Sequence, residues 1–527
     1  MVKFKAIALV FLVSLISATL FGQPQNIQVS SASAFNPNEV SVSFNPQNSN
    51  ELVIGSNLRY VYFTTDGGAT WQENDLTSGL GERGDPVIVT DTLGNFYYVH
   101  IGLSGLVCQR APGATGTWNN GSTIVPNGNK FQDKPWSAVD FGNNIIYTTW
   151  TQYDATSNTT LPTDCTNVFI SHSKDLAATW SAPRKINKMS GDCQYKDVID
   201  PTPCLGQTGT LYVAWEDSTG ILFNSSLDTG NTWKPSPVFV STIPGGCYYH
   251  VPGIPSGRIR PDPVTACDLS NSPYRGTVYI VWSDQRNGPN NTDVFLVKST
   301  DGGNTWSTPA KVNDDNTNTH QFFGTLTVDQ SNGNLYVLFY DRRNFADTLE
   351  VQADVYMAMS KDGGTTFSNY KISQTSFICD STVFIGDYIG IAAQKNQVRP
   401  VWTRNDNSQT SIWTALVDAT TLGIQELNSS QGIEAVSNYP NPFTEQTTLA
   451  YTIHATTTVT MLITDVYGKQ VAVINRPGQD PGRHTEIFDN RNYQLAPGIY
   501  FYTISADGLN NKPSAFRTVS GKMVLLK

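Results

Sequence analysis

The chain has 527 residues, with 34 Lys plus Arg against 44 Asp plus Glu, a net charge of −10 and only 15% charged residues, below the roughly 25% of typical domains. No basic run is present to neutralise phosphates, which excludes nucleic acid as the main partner, and 11 Trp, 23 Tyr and 24 Phe exclude a disordered chain. The 42 Gly and 28 Pro favour short strands and tight turns over long helices, and the length allows about two to four domains.

Lys3 and Lys5 precede a largely apolar run from Ala6 to Phe21, followed by Gly22-Gln23-Pro24. A positive segment before a short apolar one reads as a signal peptide over 1–22. The run is about 16 residues, short of the roughly 20 that a spanning helix needs. No later run reaches that length, so no transmembrane segment is expected after signal removal. The seven cysteines (Cys108, Cys165, Cys193, Cys204, Cys247, Cys267 and Cys379) are odd in number, so at least one stays unpaired within the chain. Cys193/Cys204 and Cys247/Cys267 are close enough in sequence to pair, with connectivity left open.

Residues 23–425 form a repeat array. The clearest unit is Ser/Thr-x-Asp-x-Gly-x-Thr-Trp, as in Thr64 to Trp71, Ser226 to Trp233 and Ser299 to Trp306. Ser360 to Phe367 exchanges the Trp, Ser173 to Trp180 exchanges the Gly, and Gly116-Thr117-Trp118 is a decayed remnant. The Asp can bond the turn's own backbone while the Trp covers it. These turns resemble the Asp boxes, or BNR repeats, of the sialidase superfamily, which implies structural rather than catalytic roles for Asp66, Asp175, Asp228, Asp301 and Asp362. A second unit, two strands joined by a turn, recurs seven times, from Val40 to Ile54 through to Tyr388 to Trp402. The expected fold is therefore all-β, a sialidase-like β-propeller of seven blades with six as the alternative. Strands near Asn26 to Ser30 and Ser411 to Val417 are placed to close the ring.

The loops leading into the first strand of each unit are polar: Arg83-Gly84-Asp85-Pro86, Asp133-Lys134-Pro135-Trp136, Asp200-Pro201, Arg258-Ile259-Arg260-Pro261-Asp262-Pro263, His320-Gln321-Phe322-Phe323 and Gly386-Asp387-Tyr388. In a propeller these converge at the mouth of the central channel. Asp85, Asp133, Asp200, Asp262 and Asp387 are then candidate acid/base groups, with Arg83, Lys134, Trp136, Arg258, Arg260, His320 and Tyr388 as candidate substrate contacts. The same composition also serves strand starts whose charges merely neutralise one another. No cofactor is required, although a ring of Asp can hold Ca²⁺ through oxygen ligands.

The sialidase resemblance implies three arginines on a sugar carboxylate, an acid/base Asp and a Tyr activated by a Glu. The expected Phe/Tyr-Arg-Ile-Pro motif is missing; Asn57 to Tyr60 and Gly257 to Pro261 match it only loosely. Glutamate is scarce in the array, and Glu216 is the best-placed partner for a Tyr. Tyr248-Tyr249-His250 forms an aromatic loop suited to stacking on a sugar. The expectation is a propeller that binds extracellular glycans or glycoproteins without standard sialidase chemistry. The alternative is an exo-acting glycoside hydrolase.

After a polar connector over 426–436, residues 437–527 read as a small β-sandwich with Gly/Pro turns. Its Tyr439-Pro440-Asn441-Pro442-Phe443 opening, its Leu495-Ala496-Pro497-Gly498-Ile499-Tyr500-Phe501-Tyr502 strand and its Gly521-Lys522-Met523-Val524-Leu525-Leu526-Lys527 end resemble the C-terminal sorting domain of the type IX (Por) secretion system of Bacteroidetes. That resemblance implies export across the outer membrane by the type IX machinery, then attachment to the cell surface or release. A fibronectin-type binding module is the other reading.

Overall fold

The computed structural model describes residues 23–154, 166–191, 197–345, 351–425, 433–453, 456–506 and 517–526. The expected signal peptide, Cys165 and Cys193 lie outside them. Contacts divide the described chain into two units, one from Gln23 to Ala419 and one from Thr420 onward.

Among the described residues the first unit is a ring of seven antiparallel sheets, six of four strands and one, blade 6, of five, where Phe377–Ile378 pairs with Gln352 and Ala353. Blade 1 spans 41–75, blade 2 84–126, blade 3 131–185, blade 4 198–241, blade 5 264–311 and blade 6 321–371. Blade 7 combines three strands of 390–418 with Gln25–Gln28. The innermost strand of each blade neighbours those of the two adjacent blades, and the first meets the seventh. This is a closed seven-bladed β-propeller.

The second strand of each blade is apolar on both faces because it is covered by neighbouring blades on both sides. Val278–Asp284 and Leu335–Asp341 are buried throughout. The core is accordingly a series of clusters between blades. One joins Tyr212, Phe223 and Ala214 of blade 4 to Val278, Ile280 and Trp282 of blade 5. Another joins Val42, Leu52 and Ile54 of blade 1 to Val401 and Ile412 of blade 7. Closure comes from the N-terminal strand, where Gln25 pairs with Leu416 and Gln28 with Trp413. The buried Arg399 of blade 7 adds a tie, donating from Nε to the carbonyl of Gly67 in blade 1 at 2.7 Å.

The five Asp-containing turns share one geometry between the third and fourth strands of blades 1, 3, 4, 5 and 6. In the first, Thr64 Oγ1 donates to Asp66 Oδ1 at 2.7 Å, the amide of Thr70 donates to Oδ1 at 2.9 Å and Thr70 Oγ1 to Oδ2 at 2.6 Å. Asp175, Asp228, Asp301 and Asp362 accept the same set. These bonds hold Asp66, Asp228, Asp301 and Asp362 down at about 2. With both oxygens so engaged, the carboxylates serve their own turns.

The second unit is a two-sheet sandwich. Ile433–Tyr439, Gln446–Ile453 and Gly482–Asp489 form one sheet; Gln470–Gln479, Thr457–Thr464, Gly498–Ala506 and Arg517–Leu525 form the other. Phe443, Tyr451, Met461, Phe488, Tyr502 and Met523 fill the space between them. The connector expected over 426–436 needs correction at its end, because Ile433 already pairs with Ile453 in a strand.

Candidate site at the channel mouth

Every inner strand is preceded or opened by a residue in the left-handed region: Glu39, Asp85, Lys134, Asp200, Asp262, Phe323 and Gly386, with φ between 44° and 94°. Six of these are not glycine, and each such conformation costs about 1–2 kcal/mol. The strain coincides with bulges, since pairing with the second strand slips between Gly84 and Val87, Asp133 and Trp136, Ile199 and Thr202, and Phe322 and Thr325. A bulge re-aims a side chain.

The preceding blade holds several of these bulges in place. The amide of Asp85 donates to Asn57 Oδ1 at 2.8 Å, that of Asp200 to Thr151 Oγ1 at 3.0 Å, and that of Asp262 to Glu216 Oε2 at 3.3 Å. The amide of Lys134 donates to Asp85 Oδ2 at 3.3 Å. A repeated blade-to-blade bond therefore supports the ring of polar side chains.

Charges pair across the channel. Lys134 Nζ sits 2.5 Å from Asp387 Oδ2 and 3.8 Å from Glu39 Oε1. Arg260 bridges Asp200 and Asp262 at 3.4 Å each, and Arg258 reaches Asp387 at 3.2 Å. Trp136 and Tyr388 meet edge to face at 5.6 Å, and Tyr248 stands 5.8 Å from the Arg260 guanidinium. The channel cavity is lined by residues of blades 3 to 7, Lys134, Trp136, Asp200, Arg260, Asp262 and Tyr388 among them. Its volume is about 60 Å³, above the ~10–15 Å³ that a single water needs.

Seven carboxyl groups (Glu39, Asp85, Asp133, Asp200, Glu216, Asp262 and Asp387) face three cations here. The excess resists ionisation. Burial, reinforced by Asp85, raises Asp133 to about 7. Burial also raises Asp200 to about 8, with Asp262 adding to it against the pull of Arg260. Glu39 and Glu216 rise for the same first reason. Asp387 goes the other way: burial opposes its charge, but Lys134 and Arg260 outweigh burial and hold it low. Carboxyl groups of both kinds thus coexist at one site, some protonated near neutrality and one firmly ionised.

The structure brings together Asp85, Asp133, Asp200, Asp262, Asp387, Lys134, Trp136, Arg258, Arg260 and Tyr388, as their positions in the repeat predict. Two expected contacts fall elsewhere. Arg83 is exposed in a separate surface pocket with Leu103, Lys130 and Phe131, because it precedes the bulge and points away from the axis. His320 is buried behind the ring, its Nδ1 2.9 Å from Thr292 Oγ1. Glu216 does not activate a tyrosine through the bonds it makes: one oxygen accepts from Asp262, and the nearby Tyr249 hydroxyl donates to the carbonyls of Arg260 and Ser283. Among the described residues no group of three or more His, Cys, Asp or Glu is arranged to hold a metal ion. Glu39 and Asn57 were missed as site residues. Their signal was positional, since Asn38-Glu39 precedes the first inner strand as Asp-Pro does elsewhere.

No curated protein matches the chain's sequence. Residues 437–513 match the family model described as the secretion system C-terminal sorting domain. The second unit is a type IX (Por) sorting domain. That domain directs the protein out of the cell, to its surface or the medium. Among solved structures, a Dyadobacter fermentans protein of unknown function is 12% identical, covering 75% of this chain and 98% of its own at a TM-score of 0.44. Trypanosoma rangeli sialidase with the inhibitor DANA is 11% identical, covering 86% and 90% at 0.42. A Hadza microbial sialidase is 17% identical, covering 71% and 75% at 0.40. At these levels the likeness carries no activity across to the propeller.

Proposed function

We propose that the exported propeller binds neutral sugar units of extracellular glycans or glycoproteins at the channel mouth, without sialidase chemistry. The observation that carries this reading is the state of the buried cations. Arg260 is taken up by Asp200 and Asp262, and Lys134 by Asp387 and Glu39, so neither is left to clamp a sugar carboxylate. Carboxyl groups in both protonation states donate to and accept from sugar hydroxyls, and Trp136, Tyr388 and Tyr248 offer ring faces. A cavity of about 60 Å³ is far below the ~300 Å³ at which ligand pockets begin. Only the edge of a sugar enters, and the rest lies across the mouth.

A second reading, hydrolysis of a neutral glycoside, is favoured by Asp133 and Asp200, whose elevated values suit a general acid at neutral pH. The secreted protein is to be tested on a glycan array and on chromogenic glycosides. Retention of neutral glycans without turnover supports binding. Turnover abolished by Asp133→Ala or Asp262→Ala supports hydrolysis, and neither retention nor turnover overturns both.

A further inference from the structure

Two thiols, unbonded in this structure, lie in one buried cluster at the interface of blades 4 and 5. The inner strands Val198–Leu205 and Val264–Cys267 run side by side in the same direction. Thr202 Oγ1 donates to the carbonyl of Pro263 at 2.7 Å, and Thr265 Oγ1 donates to the carbonyl of Thr202 at 2.9 Å. The Thr202 side chain therefore reaches toward blade 5 and that of Thr265 toward blade 4. Strand side chains alternate with a period of two residues, so the residues two places further on, Cys204 and Cys267, project across the same interface. Both are buried, 7% and 4% exposed, in one apolar cluster with Tyr212, Phe223 and Val278.

The remaining described cysteines are placed differently. Cys108 lies in the cluster between blades 2 and 3, and the amide of the buried Cys379 bonds the carbonyl of Val351. Cys247 sits on the loop between blades 4 and 5, only partly buried at the edge of the cluster. Of the two pairs suggested by sequence proximity, one includes Cys193, which lies outside the described residues, and the other joins Cys267 to Cys247 at the edge of this cluster.

We propose that Cys204 and Cys267 are joined as a disulfide in the exported protein, stapling blade 4 to blade 5. The sorting domain sends this chain through a compartment in which disulfides form and persist. Both Sγ–H bonds break and one Sγ–Sγ bond forms. The oxidant protein's own S–S bond breaks in the thiol–disulfide exchange, and the two electrons and two protons leave with that protein as its dithiol. Burial raises both thiols, Cys267 to about 12, so the exchange takes place before the core closes. The staple holds together the strand that carries Asp200 and the one that follows Asp262.

The test is a peptide map of the full-length secreted protein, denatured in iodoacetamide without reductant. The expected result is a linked Cys204–Cys267 peptide pair that dithiothreitol separates, with both residues alkylated only after reduction. Alkylation of both before reduction overturns the proposal, as does linkage of either one to another cysteine. Dithiothreitol is also expected to lower the melting temperature of the wild-type propeller but not that of the Cys204→Ala/Cys267→Ala double variant. An equal shift in both counts against the staple.

Discussion

Lys134 Nζ and Asp387 Oδ2 lie 2.5 Å apart at the channel mouth and join blade 3 to blade 7 across the ring. Their side chains are 14% and 4% exposed, and the same ammonium also serves Glu39. Removing one member of a buried pair leaves an uncompensated charge, which costs about 3–5 kcal/mol. Lys134→Met should therefore destabilise the propeller by roughly that amount in urea unfolding followed by Trp fluorescence. Arg59→Ala, which removes a pair with Asp75 exposed by half on both sides, should change stability by less than about 1 kcal/mol. Equal effects from the two variants would remove the basis for treating the mouth as an electrostatic unit.

The raised carboxyl groups fix the sign of the pH dependence. Asp133 and Asp200 titrate at about 7 and about 8 in the folded chain and near 3.9 when unfolded. Between these limits the native state holds protons that the unfolded state has released, so their contribution to stability falls as pH rises from about 4 to 8. Asp387, held low by Lys134, acts in the opposite sense and loses its contribution as pH drops below the ordinary carboxylate range. Asp200→Asn and Asp133→Asn mimic the protonated form and should flatten the decline in melting temperature between pH 5 and 8. A decline of unchanged slope in both variants would show that the burial of these two groups does not control it.

Closure of the ring rests on few contacts. Arg399 Nε bonds the Gly67 carbonyl at 2.7 Å and Nη1 bonds that of Val417 at 3.2 Å, and its burial holds the guanidinium down to about 10. Arg399→Met should cost about 2–3 kcal/mol through the carbonyls left unpaired. Deleting residues 23–30 removes the strand on Gln409–Asp418 and bares an apolar sheet edge. Size-exclusion chromatography of the deletion variant should then show concentration-dependent association that the parent lacks.

Much of this architecture was legible because propeller blades repeat. Asp66 and its four counterparts announced the turns, and the pairing of Gln25–Gln28 with blade 7 followed from the one strand left over at each end. The mouth was legible as a set of loops rather than as a set of contacts. Arg83 and Lys134 stand in similar polar strings, yet only Lys134 occupies the left-handed bulge position that turns its side chain into the channel. Arg83 stands two residues before the left-handed residue of its own blade, Asp85, and that offset depends on where the pairing slips, which composition does not reveal. Glu39 was obscured for the opposite reason: no proline follows it to mark the left-handed residue before the strand. The placement of Cys204 and Cys267 in one cluster was hidden because it arises between blades, beside two threonine hydroxyls that cross the interface.

Ligand discrimination separates the channel mouth from the neighbouring basic pocket. If neutral sugars bind over the channel, Trp136→Ala removes a ring face worth about 0.5–1.5 kcal/mol, so affinity for a neutral oligosaccharide should fall up to about tenfold. Arg83→Ala should leave that affinity unchanged, because Arg83 lies in the separate pocket with Lys130 and Phe131. A carboxylate added to the ligand should weaken binding, since Arg260 and Lys134 are already neutralised and Glu39 and Asp85 stand close by. Titration calorimetry with matched neutral and uronic oligosaccharides measures all three effects. Tighter binding of the acidic ligand, abolished by Arg83→Ala, would transfer the recognition site from the channel to the outer pocket.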